Sequence, residues 1–316
     1  MRNGCEVVDI AAAADGLLQA TVRGKDGETT IHARKIVLAT GQEGMGDWSI
    51  PEPLRHLPAT RCVHSGAQID FEALRGRRVA VIGAGDYIGA EIVKKFASEG
   101  FTVFAGRRNG DKLAPLVAEV EAAGGRIVAR SLDARKEEET TAFLNEADKH
   151  APLEVVIFNV GANVNFPILE TTERVFRKVW EMACWAGFVT GREAARLMLP
   201  RGGGKIFFTG ATASLRGGSG FAAFASAKFG LRAVAQSMAR ELMPKNIHVA
   251  HLIIDSGVDT AWVRERRVQL WGEEALDNPD LLMPPASVAG AYWQLYQQPR
   301  TAWTFEMEIR PFGEKW

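Results

Sequence analysis

The chain has 316 residues, 47% of them hydrophobic, and its 38 Lys and Arg balance 38 Asp and Glu to a formal net charge of zero. That length suits one large α/β domain with an appendage, or two modest domains, and the lack of a field of one sign argues against nucleic acid or a membrane as partner and for a small-molecule ligand. Cys5, Cys62 and Cys184 are too few and too scattered for a disulfide framework, and no apolar run reaches a membrane span or a signal-peptide core, so a cytoplasmic protein is expected.

Residues 1–76 carry short strand-like pieces at 6–10, 17–22 and 29–33, broken by the hairpin signals Asp15-Gly16 and Asp26-Gly27. The pattern predicts a β-meander. It leads into Lys35-Ile36-Val37-Leu38-Ala39-Thr40-Gly41, a buried strand ending in a glycine turn, and then a Pro-rich stretch at 50–58. A boundary falls near residues 70–77. Beyond it, Arg78-Val79-Ala80-Val81-Ile82 reads as a strand, followed by a glycine turn and a helical stretch at 90–99 that Gly100 stops. Strand-like runs at 102–105, 127–129, 155–158, 205–208 and 248–254 alternate with helical stretches, the mark of βαβ units and a parallel sheet. The expected architecture is an α/β, Rossmann-type doubly wound sheet over residues 77–316, preceded by a small β-rich segment over 1–76.

Gly83-Ala84-Gly85-Asp86-Tyr87-Ile88-Gly89 follows a buried strand and opens a helix, the context that makes a glycine-rich turn a dinucleotide site. Glycines there let the backbone approach a pyrophosphate, whose charge sits against amides at the helix start. The next strand ends in Gly106-Arg107-Arg108, with no acidic residue to grip a ribose hydroxyl pair. Forked, charged donors suit a ribose 2′-phosphate, so NADP(H) is favoured over NAD(H). The plain alternative is that Arg107 and Arg108 form a solvated loop pair.

These residues resemble the short-chain dehydrogenase/reductase (SDR) family over residues 78–312. Its TGxxxGxG motif maps onto Ile82 to Gly89, with Ile82 for Thr and Tyr87 for Gly. Asp133 sits where the family's adenine-contacting Asp lies, and Asn159-Val160-Gly161-Ala162 resembles its NNAG sequence. The resemblance therefore implies cofactor contacts from Gly83, Gly85, Tyr87, Ile88, Gly89, Arg107, Arg108, Asp133, Asn159 and Gly161. The family's YxxxK motif falls on Phe224-Ala225-Ser226-Ala227-Lys228, so Phe224 replaces the tyrosine acid/base and Lys228 alone remains to hold nicotinamide ribose. The catalytic Ser position is Ala211, and the helix Asn position is Ala183 or, with a one-residue slip, Cys184. Phe221, Phe224 and Phe229 with Lys228 at their edge would otherwise read as an ordinary amphipathic helix. After the sixth strand, Asp255-Ser256 replaces the family's Pro-Gly, while Val258 and Thr260 hold positions that meet the nicotinamide amide. Residues 261–285 would form a substrate lid whose Trp262, Leu270 and Trp271 line an apolar pocket or join an interface.

The N-terminal segment resembles a different family, the flavin-containing monooxygenases, through Ala39-Thr40-Gly41, Ile50-Pro51, His64-Ser65 and the run from Gly76 to Gly85. That family's flavin-binding glycine turn is missing, so no complete FAD site is expected, and the chain reads as a hybrid whose origin is fusion, engineering or an error of assembly. Other constellations are weak. His248 and His251 should face opposite sides of a strand and share no metal. Glu137-Glu138-Glu139 is a solvated helix face, and the stretch 201–205 is a lead into a strand.

Three functions follow. The first is an NADP(H)-dependent SDR oxidoreductase acting on a small carbonyl, alcohol or activated alkene, with its proton from Ser226, Thr209, Thr212, Ser214 or water. The second is a catalytically silent NADP(H)-binding module. The third is a monooxygenase fragment. The SDR resemblance further implies a homo-oligomer, dimer or tetramer, through helices at 183–199 and 223–242.

Overall fold

The computed structural model describes residues 6–12, 18–24, 27–33, 76–149 and 151–314. The chain divides into two compact units, Met1–Leu74 and Arg75–Trp316. In the first, strands β1 (Glu6–Ala12), β2 (Leu18–Gly24) and β3 (Gly27–Ala33) pair antiparallel in chain order, the meander that the alternating pattern predicts. Asp15-Gly16 and Asp26, the expected strand at 35–41, the Pro-rich stretch, His64-Ser65, Cys5 and Cys62 lie outside the described residues.

The second unit is built on a seven-stranded parallel sheet in the order β10-β9-β8-β7-β4-β5-β6. Its strands are β4 (Arg78–Ile82), β5 (Thr102–Arg107), β6 (Arg126–Ser131), β7 (Leu153–Phe158), β8 (Gly204–Thr209), β9 (Ile247–Ile254) and β10 (Glu306–Ile309). Helices α1 (Ile88–Ser98), α2 (Ala114–Ala122), α3 (Glu137–Asp148), α4 (Glu173–Trp180), α5 (Ala186–Met198), α6 (Ala222–Leu242), α7 (Ala261–Trp271) and α8 (Pro285–Gln297) complete it. Two-residue periodicity sorts β4 between two cores. Val79 and Val81 pack with α1 and α8, whereas Ala80 and Ile82 pack with α3, α5 and α6. Helices on both faces explain why these strands read as continuous apolar runs, and all eight residues of β9 are buried. Between β4 and β7 the strand order reverses, which opens a crevice beyond the carboxyl ends of the strands.

Three features depart from the sequence reading. Gly106 and Arg107 belong to β5 itself, beyond the apolar run at 102–105, and a Cβ at Gly106 would stand 2.6 Å from the Leu132 side chain. β10 was not anticipated, since its Glu-Met-Glu-Ile alternation is that of an edge strand without an apolar run. The glutamates at the start of α3 are not merely solvated: Glu139 accepts the Asp133 amide at 2.8 Å and Glu137 pairs with Arg192 at 2.5 Å.

His248 and His251 do point to different partners. His248 Nε2 lies 2.9 Å from the Thr304 carbonyl with its ring stacked on Trp303, while His251 Nδ1 lies 3.1 Å from Glu306, itself gripped by Arg232 at 2.6 Å. Burial pushes both imidazoles down to about 4. Below the unfolded value of about 6.5 the unfolded chain therefore binds more protons, and stability falls as pH drops towards 4, by roughly 3 kcal/mol for each ring. Denaturant unfolding at pH 7 and pH 4.5 checks this, and His251→Gln should flatten the fall.

Candidate functional site

The turn between β4 and α1 is fixed by its glycines. Gly83 has φ +90°, and a Cβ there would meet the Asn159 carbonyl at 2.5 Å; at Gly89 it would meet the Gly83 carbonyl at 2.3 Å. Gly83 and Ala84 both donate their amides to the Gly106 carbonyl, at 2.9 and 3.0 Å, which ties the turn to β5. Above Gly85 there is open space. In the first turn of α1, Ala90 donates its amide to the Gly85 carbonyl at 2.8 Å and Glu91 to the Tyr87 carbonyl at 3.0 Å, which leaves the amides of Ile88 and Gly89 for an anion.

This turn opens on a cleft of about 650 Å³. Gly83, Gly85, Tyr87, Ile88 and Gly89 line it from the turn, and Arg107 and Arg108 from the end of β5. Asp133, Asn159, Gly161 and Thr260 line it as well. Arg107 is engaged: its guanidinium lies 2.7 Å from the carboxylate of Asp86, another lining residue. Arg108 is exposed and makes no ion pair among the described residues. Asp133 is held by Arg135 at 2.5 Å, and that hydrogen bond keeps its carboxyl below the usual range. The Tyr87 hydroxyl accepts the Ala261 amide at 3.2 Å, reaching the start of α7, which Thr260 caps through Val263 at 3.2 Å.

A second cavity of about 560 Å³ shares Ile88, Asn159, Val160 and Gly161 with the first. Lys228, Phe224, Ala211 and Val258 line it. Lys228 is 2% exposed, donates to the carbonyls of Thr209 at 2.8 Å and Val160 at 3.3 Å, and sits 5.9 Å from the Phe224 ring centre. Burial pushes its ammonium down to about 8. Asn159 is locked from both ends, donating to the Gly83 carbonyl at 3.1 Å and accepting from Thr209 at 3.0 Å. The Thr209 hydroxyl also meets that of buried Tyr292 at 2.6 Å, a partner 83 residues away that no local pattern could reveal.

Ala183 and Cys184 lie in a π-helical turn, Glu181–Trp185, between α4 and α5. Both are buried in one apolar cluster with Phe224 and Ala213, against which Ala211 packs, and neither lines the cavity. Burial pushes the Cys184 thiol up. Of the four hydroxyls considered as proton sources, Ser226 donates to the Ala223 carbonyl and Ser214 accepts the Ala211 amide, both away from the cavity lining. Thr209 lines the cavity but is committed as described, whereas Thr212 lines it with no hydroxyl bond to another side chain among the described residues. On α7, Val263 reaches the cavity; Trp262, Leu270 and Trp271 are exposed and do not line it. Asp255, which with Ser256 stands in place of the family's Pro-Gly, is a buried acid paired with Arg310 at 2.7 Å, a partner the sequence did not reveal.

The profile of the short chain dehydrogenase family matches residues 77–270. The chain belongs to the short-chain dehydrogenase family. It is an oxidoreductase-family chain with a Rossmann nucleotide-binding fold. A solved short-chain dehydrogenase from Rhodopseudomonas palustris is 79% identical, with a TM-score of 0.66, and the match covers 75% of this chain and 100% of that one. The 2-dehydro-3-deoxy-D-gluconate 5-dehydrogenase of Formosa agariphila is 27% identical over 183 residues, 57% of this chain and 69% of the relative.

A second profile, L-lysine 6-monooxygenase/L-ornithine 5-monooxygenase, matches residues 1–105. Likewise, the FAD-dependent urate hydroxylase of Xanthomonas campestris is 50% identical over 54 residues, 17% of this chain and 11% of that protein. The two profiles overlap at residues 77–105, which hold β4, the glycine turn and α1. The chain is thus similar to a second family over its first third, in line with the two resemblances in its sequence.

Proposed function

We propose that the chain is an NADP(H)-dependent oxidoreductase that moves hydride to or from a small carbonyl, alcohol or activated alkene without the usual serine and tyrosine. The adjacency of the two cavities, which share Ile88, Asn159, Val160 and Gly161 as lining, carries this reading, because a dinucleotide lying along the first would present its far end towards the second. The glycine cradle and open space over Gly85 fit a pyrophosphate. Lys228 would hold the nicotinamide ribose, and Val258 and Thr260 would meet its amide. When bound, the nucleotide supplies or accepts the hydride.

The chain's own residues supply little acid. Phe224 and Ala211 have no proton to give, and a missing positioned acid lowers a rate by about 10² to 10⁴. Reduction of an activated double bond suffers least, because water can deliver the single proton that follows the hydride. A screen of NADPH oxidation against ketones and enones tests the proposal; turnover with enones ahead of ketones is expected, and no turnover with either sinks it. The silent-module reading is favoured by the apolar cluster joining Phe224, Ala183 and Ala211, and it predicts micromolar nucleotide binding without turnover. A yellow, FAD-loaded preparation would instead revive the monooxygenase reading. A cytoplasmic homo-oligomer assembled through α5 and α6 completes the proposal.

Arg107 is already paired with Asp86, so selection of the 2′-phosphate would fall on Arg108. Arg108→Ala should raise the Kd for NADPH about tenfold, the equivalent of about 1.4 kcal/mol, and leave NADH nearly unchanged. Fluorescence titration with the two nucleotides reads the difference directly.

A further inference from the structure

We propose that Arg216 binds a carboxylate, so that the second cavity takes small apolar molecules carrying one anionic group. Calling that molecule a substrate rests on the oxidoreductase reading above; the anion site does not.

Phe221, Phe224, Ile254, Val258 and Val263 make the cavity largely apolar. Its charged lining residues are Lys228 and Arg216, and no Asp or Glu lines it. Lys228 is deep and already donates to two carbonyls. Arg216 is 64% exposed, and its one ion pair among the described residues is a long one, 3.4 Å from Asp255. Asp255, 2% exposed, is better satisfied by Arg310 at 2.7 Å, so a single carboxylate is shared between two guanidinium groups. Glu314 accepts the Ser256 hydroxyl at 3.0 Å, and Glu308 pairs with Arg310.

A guanidinium has five N–H donors in a planar fork that matches a carboxylate edge to edge. Among the described residues Arg216 uses one of them, in its contact to Asp255, which tethers the side chain. Gly217, which follows, leaves open space where a side chain would stand, so a ligand meets no obstruction there. An apolar chamber with a forked cation is a site for an amphipathic monoanion.

Calorimetry on the full chain, with and without saturating NADP⁺, tests this using 4-oxo-4-phenylbutanoate and the matching amide, 4-oxo-4-phenylbutanamide. The carboxylate should bind about tenfold more tightly than the amide, and 0.5 M KCl should shrink the gap. Arg216→Gln should abolish the preference with amide binding and melting temperature unchanged, while Arg216→Lys should keep part of it. Equal binding of the two probes, heat from neither, or a preference that survives in Arg216→Gln would overturn the proposal. The two proposals fail separately. If NADPH gives no heat but the preference holds without nucleotide, the anion site stands and the oxidoreductase reading falls; if NADPH binds and the preference is absent, the reverse holds.

Discussion

Phe224→Tyr combined with Ala211→Ser is expected to raise carbonyl reduction by at least about 10²-fold, while enone reduction changes by less than about tenfold. Both positions line the cavity, and Phe224 stands beside Lys228. A phenol there would gain a buried ammonium as neighbour, which favours its ionised form and lets it pass a proton. The serine would supply the second hydroxyl that fixes a carbonyl oxygen. Phe224→Tyr alone should gain much less. Ala183→Asn is best left out, because Ala183 is fully buried behind the cavity and a larger polar side chain would overpack its cluster. Steady-state kcat/KM for a ketone and an enone, measured for wild type and both variants, gives the comparison. An unchanged ketone rate in the double variant would mean that these positions do not face the reacting group.

Lys228→Met should abolish nicotinamide nucleotide binding and, at the same time, change how stability depends on pH. Lys228 has no carboxylate partner among the described residues, and burial holds its folded value at about 8, below the ordinary 10.5. Between those values the unfolded chain binds more protons, so the wild type gains stability as pH rises from 8 to 10.5, by roughly 3 kcal/mol. Below pH 8 the penalty of the buried charge is fully present. Methionine removes that penalty but leaves the Thr209 and Val160 carbonyls without a donor. The difference in unfolding free energy between wild type and Lys228→Met, taken at pH 7 and pH 10.5, should therefore move by about 3 kcal/mol in the wild type's favour at the higher pH. A difference that stays flat would mean that Lys228 is solvated in the folded protein.

The parts visible in the sequence were those with a local period. Six of the seven parallel strands announce themselves as apolar runs because helices cover both faces of the sheet, and the glycine turn does so because it joins a strand to a helix. Lys228, Phe224 and Ala211 were aligned through a motif, and they do converge on one cavity. What stayed hidden was pairing across the fold. Arg107 with Asp86, Thr209 with Tyr292, and Asp255 with Arg310 are joined over 21, 83 and 55 residues, and a side chain's partner at that range depends on topology rather than neighbourhood. The apolar residues of α7 show the same limit: Trp262, Leu270 and Trp271 could line a pocket or join an interface by sequence, and they are exposed, while Val263 lines the cavity.

Titration of the folded protein with NADPH, NADP⁺, NADH and NAD⁺ in a calorimeter tests the central claim most directly. One nucleotide should bind per chain in the micromolar range, more tightly with the 2′-phosphate than without it. No heat from any of the four, on material with an intact unfolding transition, would contradict a dinucleotide site at the turn from Gly83 to Gly89.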